Sequence, residues 1–334
     1  MSRRPLLSRV ADSVYWVCRY MERAENVARF IDVNFRLVLD APGSAAEQWQ
    51  PLIDAGGDTA VFAERCGKAT RENVLRFLAA DPDNRNSILS CLRAARENAR
   101  TVRDTISAEM WEQINLLHLS VVEQNVEQAM AESPLDFLRD VKRGCHLFRG
   151  VMDATMSHDE AWHFGRIGRL LERADKTTRL MDVKYFILLP RVEDVGTTLD
   201  DAQWSAVLKS ATAFVMYRKR HGRINPVAVA DFLLLDRFFP RSALYCLTDV
   251  DTSLHAISGT PPDSFQNQAE RLTGKLRSEL EYASARDILG GGMHEFLDDL
   301  QKGLNRIDEA IYTEFFARRP VVEPSRAMAQ RQGA

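Results

Sequence analysis

The segment Arg19–Phe35, RYMERAENVARFIDVNF, recurs 150 residues later as Arg169–Tyr185, RLLERADKTTRLMDVKY. The identical positions are Arg19/Arg169, Glu22/Glu172, Arg23/Arg173, Ala24/Ala174, Arg29/Arg179, Asp32/Asp182 and Val33/Val183. Shared helical packing alone would repeat apolar residues, whereas most of these matches are charged. The interval exceeds the periods of solenoid repeats, so the pair reads as two long helices of one bundle related by approximate pseudo-symmetry.

Around this repeat, glycine and proline are sparse and clustered, leaving long stretches with apolar residues at three- and four-residue spacing. The expected fold is all-α: a single large helical bundle over residues 1–318, with two pseudo-repeated long helices carrying Glu-Arg-Ala motifs. Helices are predicted at 8–39, 58–66, 69–79, 84–107, 108–131, 134–155, 158–188, 201–220, 226–236, 240–257, 262–288 and 292–318. DAPGS (40–44) ends the first helix, LPRVEDVGTTLD (189–200) is the longest internal linker, and SGTPPDS (258–264) and GGG (290–292) read as turns. Asn225-Pro226 has the form of a cap followed by proline at the first helical position. The polar stretch at 319–334 is expected to be a disordered tail.

Charge and cysteine usage remove several function classes. With Lys+Arg 44 against Asp+Glu 47 and a net charge of −3, the chain has no global attraction for phosphate backbones, which disfavours nucleic acid. Five scattered cysteines, none in a CxxC pair, argue against a disulfide framework or a zinc site and fit a reducing cytoplasm. Asp12, Arg19 and Glu22 interrupt the apolar region that a twin-arginine signal would need, so the N-terminal stretch reads as mature protein. No uncharged apolar run approaches the roughly 20 residues of a membrane span.

Along the first long helix, Ser8, Asp12, Tyr15, Arg19, Glu22, Asn26 and Arg29 fall on one face between apolar flanks. If both flanks pack, the charges are buried and must be paired. The second copy offers Arg169, Glu172, Arg173 and Arg179. Packing the two around Glu22 and Glu172 would leave excess positive charge, suited to a carboxylate or phosphate ligand. Two plainer readings stand beside this one. Arg19–Glu22, Glu25–Arg29 and Asp175–Arg179 can be ordinary intrahelical pairs on solvated faces, or the network can be buried and serve only to fix helix register.

At these residues the chain resembles the bacterial alpha-E family. Ser8, Arg9, Ala11, Tyr15, Trp16, Arg19, Tyr20, Glu22, Arg23, Ala24, Glu25 and Arg29 stand where the family's opening motif has them. Further matches lie at 95–115, 168–185, 217–226 and 232–247, so the resemblance runs across nearly the whole chain. Cys18 departs from the glycine expected before Arg19, whereas Gly168 keeps it before Arg169, and this puts a very close helix approach in question. The resemblance implies association with ATP-grasp-type amide ligases and transglutaminase-like peptidases, hence with peptide or amino-acid ligation. It does not imply that this chain performs the chemistry.

Other motifs are weak. Glu160-Ala-Trp-His163 has the ExxH spacing of di-iron bundles but lacks a second copy. Neither HExxH nor a GxxxxGK[ST] loop occurs, so no metal or cofactor is expected. Arg218, Lys219, Arg220 and Arg223 form the densest basic segment, either a partner or anion patch or a solvated helix end. Arg241, in Phe-Pro-Arg-Ser, stands beside a helix start, where an anion is favoured.

The leading expectation is an accessory or substrate-presenting partner of an ATP-grasp amide ligase. Its ligand site would be Arg19, Arg23, Arg29, Arg169, Arg173, Arg179 and Arg241, holding an acidic amino acid or peptide end. Trp111, Trp204, Tyr217 and Arg220 are candidate partner anchors. Below it stands a free-standing enzyme with Glu22 or Glu172 as general base, and below that an RNA-binding helical protein.

Overall fold

The computed structural model describes residues 6–40, 49–187 and 198–317. The expected tail at 319–334 and most of the 189–200 linker lie outside these residues. Among the described residues the regular elements are helices and no strand occurs.

The helices fall into two runs of eight. The first run is α1 (Ser8–Asp40), α2 (Gln50–Gly56), α3 (Thr59–Cys66), α4 (Arg71–Leu75), α5 (Ile88–Thr101), α6 (Ala108–Glu123), α7 (Val126–Glu132) and α8 (Pro134–Thr155). The second is α9 (Glu160–Ile187), α10 (Thr198–Ser210), α11 (Phe214–His221), α12 (Pro226–Ala230), α13 (Ala243–Ser258), α14 (Gln268–Glu281), α15 (Ala285–Gly291) and α16 (Met293–Ile311). A π-helical turn follows α4 at Arg76–Ala80, and another follows α12 at Asp231–Leu235.

The same local chemistry shapes both runs. Thr70 and Asn225 cap α4 and α12 by accepting the N–H of Asn73 and Ala228, and Ser87 and Ser242 cap α5 and α13 through Ser90 and Tyr245. Gly67 and Gly222, both at φ +71, end α3 and α11. Arg65 pairs with Asp81 after the first π turn, and Arg220 with Asp236 after the second.

In each run the long first helix packs on the fifth and eighth, α1 on α5 and α8, and α9 on α13 and α16. The halves join where α1 lies on α9, and their second helices cross over, α2 packing on α9 and α10 on α1. Two apolar cores flank this seam. Val14, Cys18, Met21 and Ile31 join Phe77, Leu92 and Leu138 in one, while Ala11, Tyr15, Ile167 and Leu171 join Phe232, Leu247 and Leu297 in the other. Feeding both cores leaves α1 and α9 little surface for water, so their charged residues must find partners inside the protein.

The seam is tightest at two contacts, each of which includes one glycine. A Cβ on Gly168 would lie 2.4 Å from the backbone oxygen of Tyr15, and one on Gly165 would lie 2.8 Å from Cys18 Sγ. Cys18 is tolerated because Gly165 faces it, so its departure from glycine does not prevent a close approach.

Several predicted helices need correction. The predicted 108–131 helix divides at Asn125 (φ +49), the predicted 201–220 helix at Thr212 (φ +55), and the predicted 262–288 helix after Glu281. None of these breaks carries Gly or Pro. The long prediction over 84–107 shortens to α5, because Asn84–Ser87 forms a polar turn ending in the Ser87 cap. In GGG, Gly290 and Gly291 are helical and the break is at Gly292 (φ +110). The short α2 was not predicted.

Candidate functional site

The charged residues of α1 and α9 meet at the seam, and their pairing is crosswise. Arg173 donates to Glu22 through Nε at 2.8 Å and Nη2 at 2.7 Å. Arg23 donates to Glu172 through Nε at 2.7 Å and Nη2 at 2.8 Å. Each Glu-Arg dipeptide thus clasps the other with two bidentate bonds, the planar geometry that guanidinium and carboxylate share. The intrahelical Arg19–Glu22 pair does not form. Arg19 Nε turns across the seam to Glu172 Oε2 at 3.0 Å, while its Nη1 donates to Tyr15 Oη and to Asp308.

A second layer surrounds each clasp. Around Glu22, Arg241 reaches in from the turn before α13. Its Nη1 donates to Glu22 at 3.2 Å and to Asn26 at 2.9 Å, and its Nη2 donates to Glu25 at 2.6 Å. Glu25 also takes Arg29 and lies 2.9 Å from His146 Nε2. Around Glu172, Arg23 Nη1 donates to Asn86 at 2.8 Å, and Lys176 Nζ lies 3.8 Å away. Arg179 pairs with Asp175 on its own helix at 2.9 Å. Asn86 and Arg241 each stand just before the serine cap of the fifth helix of their half, so one structural position supplies both second layers.

The arginines and glutamates singled out at 19, 22, 23, 29, 172, 173 and 241 are therefore brought together, with Arg179 at the margin. Arg169 joins neither clasp. Its Nε is buried without a hydrogen-bond partner, and burial, followed by the neighbouring Arg173, lowers its pKa. Asn26 of the polar stripe and Glu25 of the expected Glu25–Arg29 pair join the centre, whereas Asn86, His146, Lys176 and Asp308 belong to it without having been singled out. Of these four, Asn86 left a sequence trace through its equivalence to Arg241, the paired Asp…Ser loops 81–87 and 236–242.

Burial and charge act against each other here. Burial raises the pKa of Glu22, but Arg173 and Arg241 reverse it and leave a net lowering. Burial likewise opposes Glu25, where Arg241, the His146 bond and Arg29 carry it well below the usual range. Glu172 is carried below that range against burial by Arg23, Lys176 and Arg19. Burial pulls Arg241 down to about 10, so it stays charged at neutral pH.

Because all three carboxylates are lowered in the folded chain, the unfolded chain takes up protons first as pH falls. Their contribution is complete above the unfolded glutamate value and is lost as pH drops through the folded values. The urea midpoint is therefore expected to be flat down to about pH 5 and to fall below about pH 4. Glu172→Gln should flatten part of that acid limb, and an unchanged limb would contradict the assignment.

The remaining candidates lie apart from the clasps. Burial pushes the Cys18 thiol up to about 12, which rules it out as a ready nucleophile. Glu160 accepts the backbone N–H of Leu6 at 2.7 Å. Among the described residues no group of three or more His, Cys, Asp or Glu could hold a metal ion. Arg218, Lys219, Arg220 and Arg223 are exposed, with Arg220 bound to Asp236. Trp204 and Tyr217 are buried and cannot anchor a partner; the Tyr217 hydroxyl donates to the Arg223 carbonyl. No helix among the described residues is long and apolar enough to cross a membrane.

Comparison with known proteins agrees with this architecture. Uncharacterized proteins of Mycobacterium bovis (Mb2597) and Mycobacterium tuberculosis (Rv2567) are 26% identical to the chain over 324 residues, which covers 89% of the chain and 35% of each relative. The chain therefore spans about a third of the length of these relatives. No solved structure matches it. The Alpha-E model, described as a predicted alpha-helical domain with a conserved ER motif, matches residues 6–316, and Glu22-Arg23 and Glu172-Arg173 are dipeptides of that kind. With that match across nearly its whole length, the chain belongs to the Alpha-E family.

Proposed function

We propose that this protein is an accessory, substrate-presenting partner of an ATP-grasp-type amide ligase, with the seam arginines favouring an acidic amino acid or peptide end. The observation that carries this reading is the charge balance of the Glu22 cluster. Glu22 and Glu25 face Arg29, Arg173 and Arg241, and Arg169 stands close by without a bonded partner. Such an excess of guanidinium favours a small anion over a cation. A transglutaminase-like peptidase is a second partner of the same kind.

The same electrostatics weigh against a free-standing enzyme. A general base works best with a pKa near the working pH, whereas Arg173 and Arg23 hold Glu22 and Glu172 ionised and weakly basic. The 26%-identical relatives support a role alongside other domains, since the matched region fills only 35% of their length.

The test is to purify the chain with and without an ATP-grasp-type amide ligase from the same genome, following association by calorimetry and turnover by phosphate release. Association in the micromolar range, with no ATP hydrolysis by the chain alone, is expected. Failure to associate at tens of micromolar would overturn the partnership. Turnover by the chain alone that vanishes in Glu22→Gln, with the fold intact, would instead establish the enzyme reading.

A further inference from the structure

The two halves serve as controls for each other, because a feature required by the fold recurs in both. At one position they reverse charge. The corner between the fifth and sixth helices holds Arg96 of α5 in the first half and Asp251 of α13 in the second, at the same distance from their serine caps. Arg96 closes its corner, donating to Asn115 at 2.7 Å and lying over Trp111. The corner in the second half is open. It forms a groove of about 490 Å³, with Asp251, His255 and Glu270 at its floor and Phe265, Arg271 and Lys275 lining it further out.

The floor has an unfilled hydrogen-bonding position. Asp251 is 4% exposed, and its Oδ1 has no hydrogen-bond partner. Its Oδ2 lies 3.3 Å from Arg277. His255 Nδ1 lies 3.1 Å from the Thr260 carbonyl oxygen. A carbonyl can only accept, so Nδ1 carries a proton, and with that single ring proton Nε2 is an acceptor. That Nε2 lies 3.6 Å from Asp251 Oδ1, so in this tautomer two acceptors face one another just beyond bonding reach, a spacing that a donor shared between them would satisfy. Glu270 is already satisfied by Thr260, Gln266 and Asn267. Two carboxylates against one guanidinium leave the floor net negative, whereas the outer lining holds both cations, Arg271 and Lys275, beside the single carboxylate of Asp263, with Lys275 Nζ 3.7 Å from Glu279.

We infer that this corner binds a small primary amine that also carries an anionic group, its ammonium bridging Asp251 Oδ1 and His255 Nε2 and its anion meeting Lys275 and Arg271. An ammonium has three donors and no acceptor, which is what two facing acceptors need. Burial raises the Asp251 pKa, and a cation beside the carboxylate would offset that cost of keeping it ionised. This inference does not rest on the ligase partnership.

The test is calorimetry on the full chain with glycine, β-alanine and γ-aminobutyrate, with n-butylamine and butyrate as single-group controls. At least one of the three amino acids is expected to bind, about tenfold or more tighter than either control. Asp251→Asn should abolish that heat. Lys275→Ala, whose side chain is 73% exposed, should weaken binding several-fold without moving the melting temperature. If Asp251→Asn does not fold, the Lys275→Ala result and the NMR signal of His255, which should shift on adding the amino acid, decide the matter. Absence of heat with all three amino acids would overturn the inference. So would binding unaffected by either substitution, or a His255 ring already protonated at neutral pH and unmoved by amine.

Discussion

Glu22→Gln is expected to cost the protein about 3–5 kcal/mol of stability, the range for breaking a buried ion pair from one side. The side chains of Glu22 and Arg173 are each 3% exposed, so the substitution strands a guanidinium that water cannot reach. Arg241 would lose one of its two carboxylates as well. Urea unfolding followed by circular dichroism measures the effect, and a loss under about 1 kcal/mol would mean the pair behaves as a solvated one. Combining Glu22→Gln with Arg173→Gln should recover part of the loss, because the double variant no longer buries an unmatched charge. The pseudo-symmetric pair Glu172 and Arg23 should behave alike. Arg19 and Lys176 also lie against Glu172 and would be left without it.

Gly168→Ala is expected to lose about 2–3 kcal/mol, as overpacking at a close contact does. Its new Cβ would fall 2.4 Å from the Tyr15 backbone oxygen and 3.1 Å from the Tyr15 carbonyl carbon, neither of which can rotate aside. Relief requires α1 and α9 to separate, which also stretches the Glu22–Arg173 and Glu172–Arg23 clasps. Gly165→Ala provides the comparison. Its Cβ meets Met152 Cε and Cys18 Sγ, the ends of side chains that can shift, so a loss of about 1 kcal/mol is expected. Equal melting temperatures for the two variants would show that the backbone contact at Gly168 does not set the helix spacing.

The repeat over Arg19–Phe35 and Arg169–Tyr185 was visible because it lies at one fixed offset of 150 residues. The rest of the correspondence was hidden by drift in that offset. The π turns, the serine caps and the Arg65–Asp81 and Arg220–Asp236 pairs are 155 residues apart, and the caps of α6 and α14, Ser107 and Asn267, are 160 apart. Asn86 and Arg241, equivalent in place, differ in residue type because they serve opposite ends of the clasp. Asn86 accepts from Arg23, whereas Arg241 donates to Glu22 and Glu25. The breaks at Asn125 and Thr212 carry no Gly or Pro; Asn tolerates a positive φ, whereas the β-branched Thr212 adopts one against its own preference.

By itself the sequence determined that the chain is helical, that α1 and α9 are long, and that their charges repeat in register. These are local properties, set by apolar spacing, capping residues and the scarcity of glycine and proline. Only the tertiary structure decided which arginine meets which glutamate. Arg19 has Glu22 one turn away along its own helix, yet it bonds to Glu172, because the glycines at 165 and 168 let α9 approach closely enough for the long guanidinium to cross the seam. A side chain buried between two helices pairs with whatever faces it across the contact, and what faces it depends on how the helices are packed.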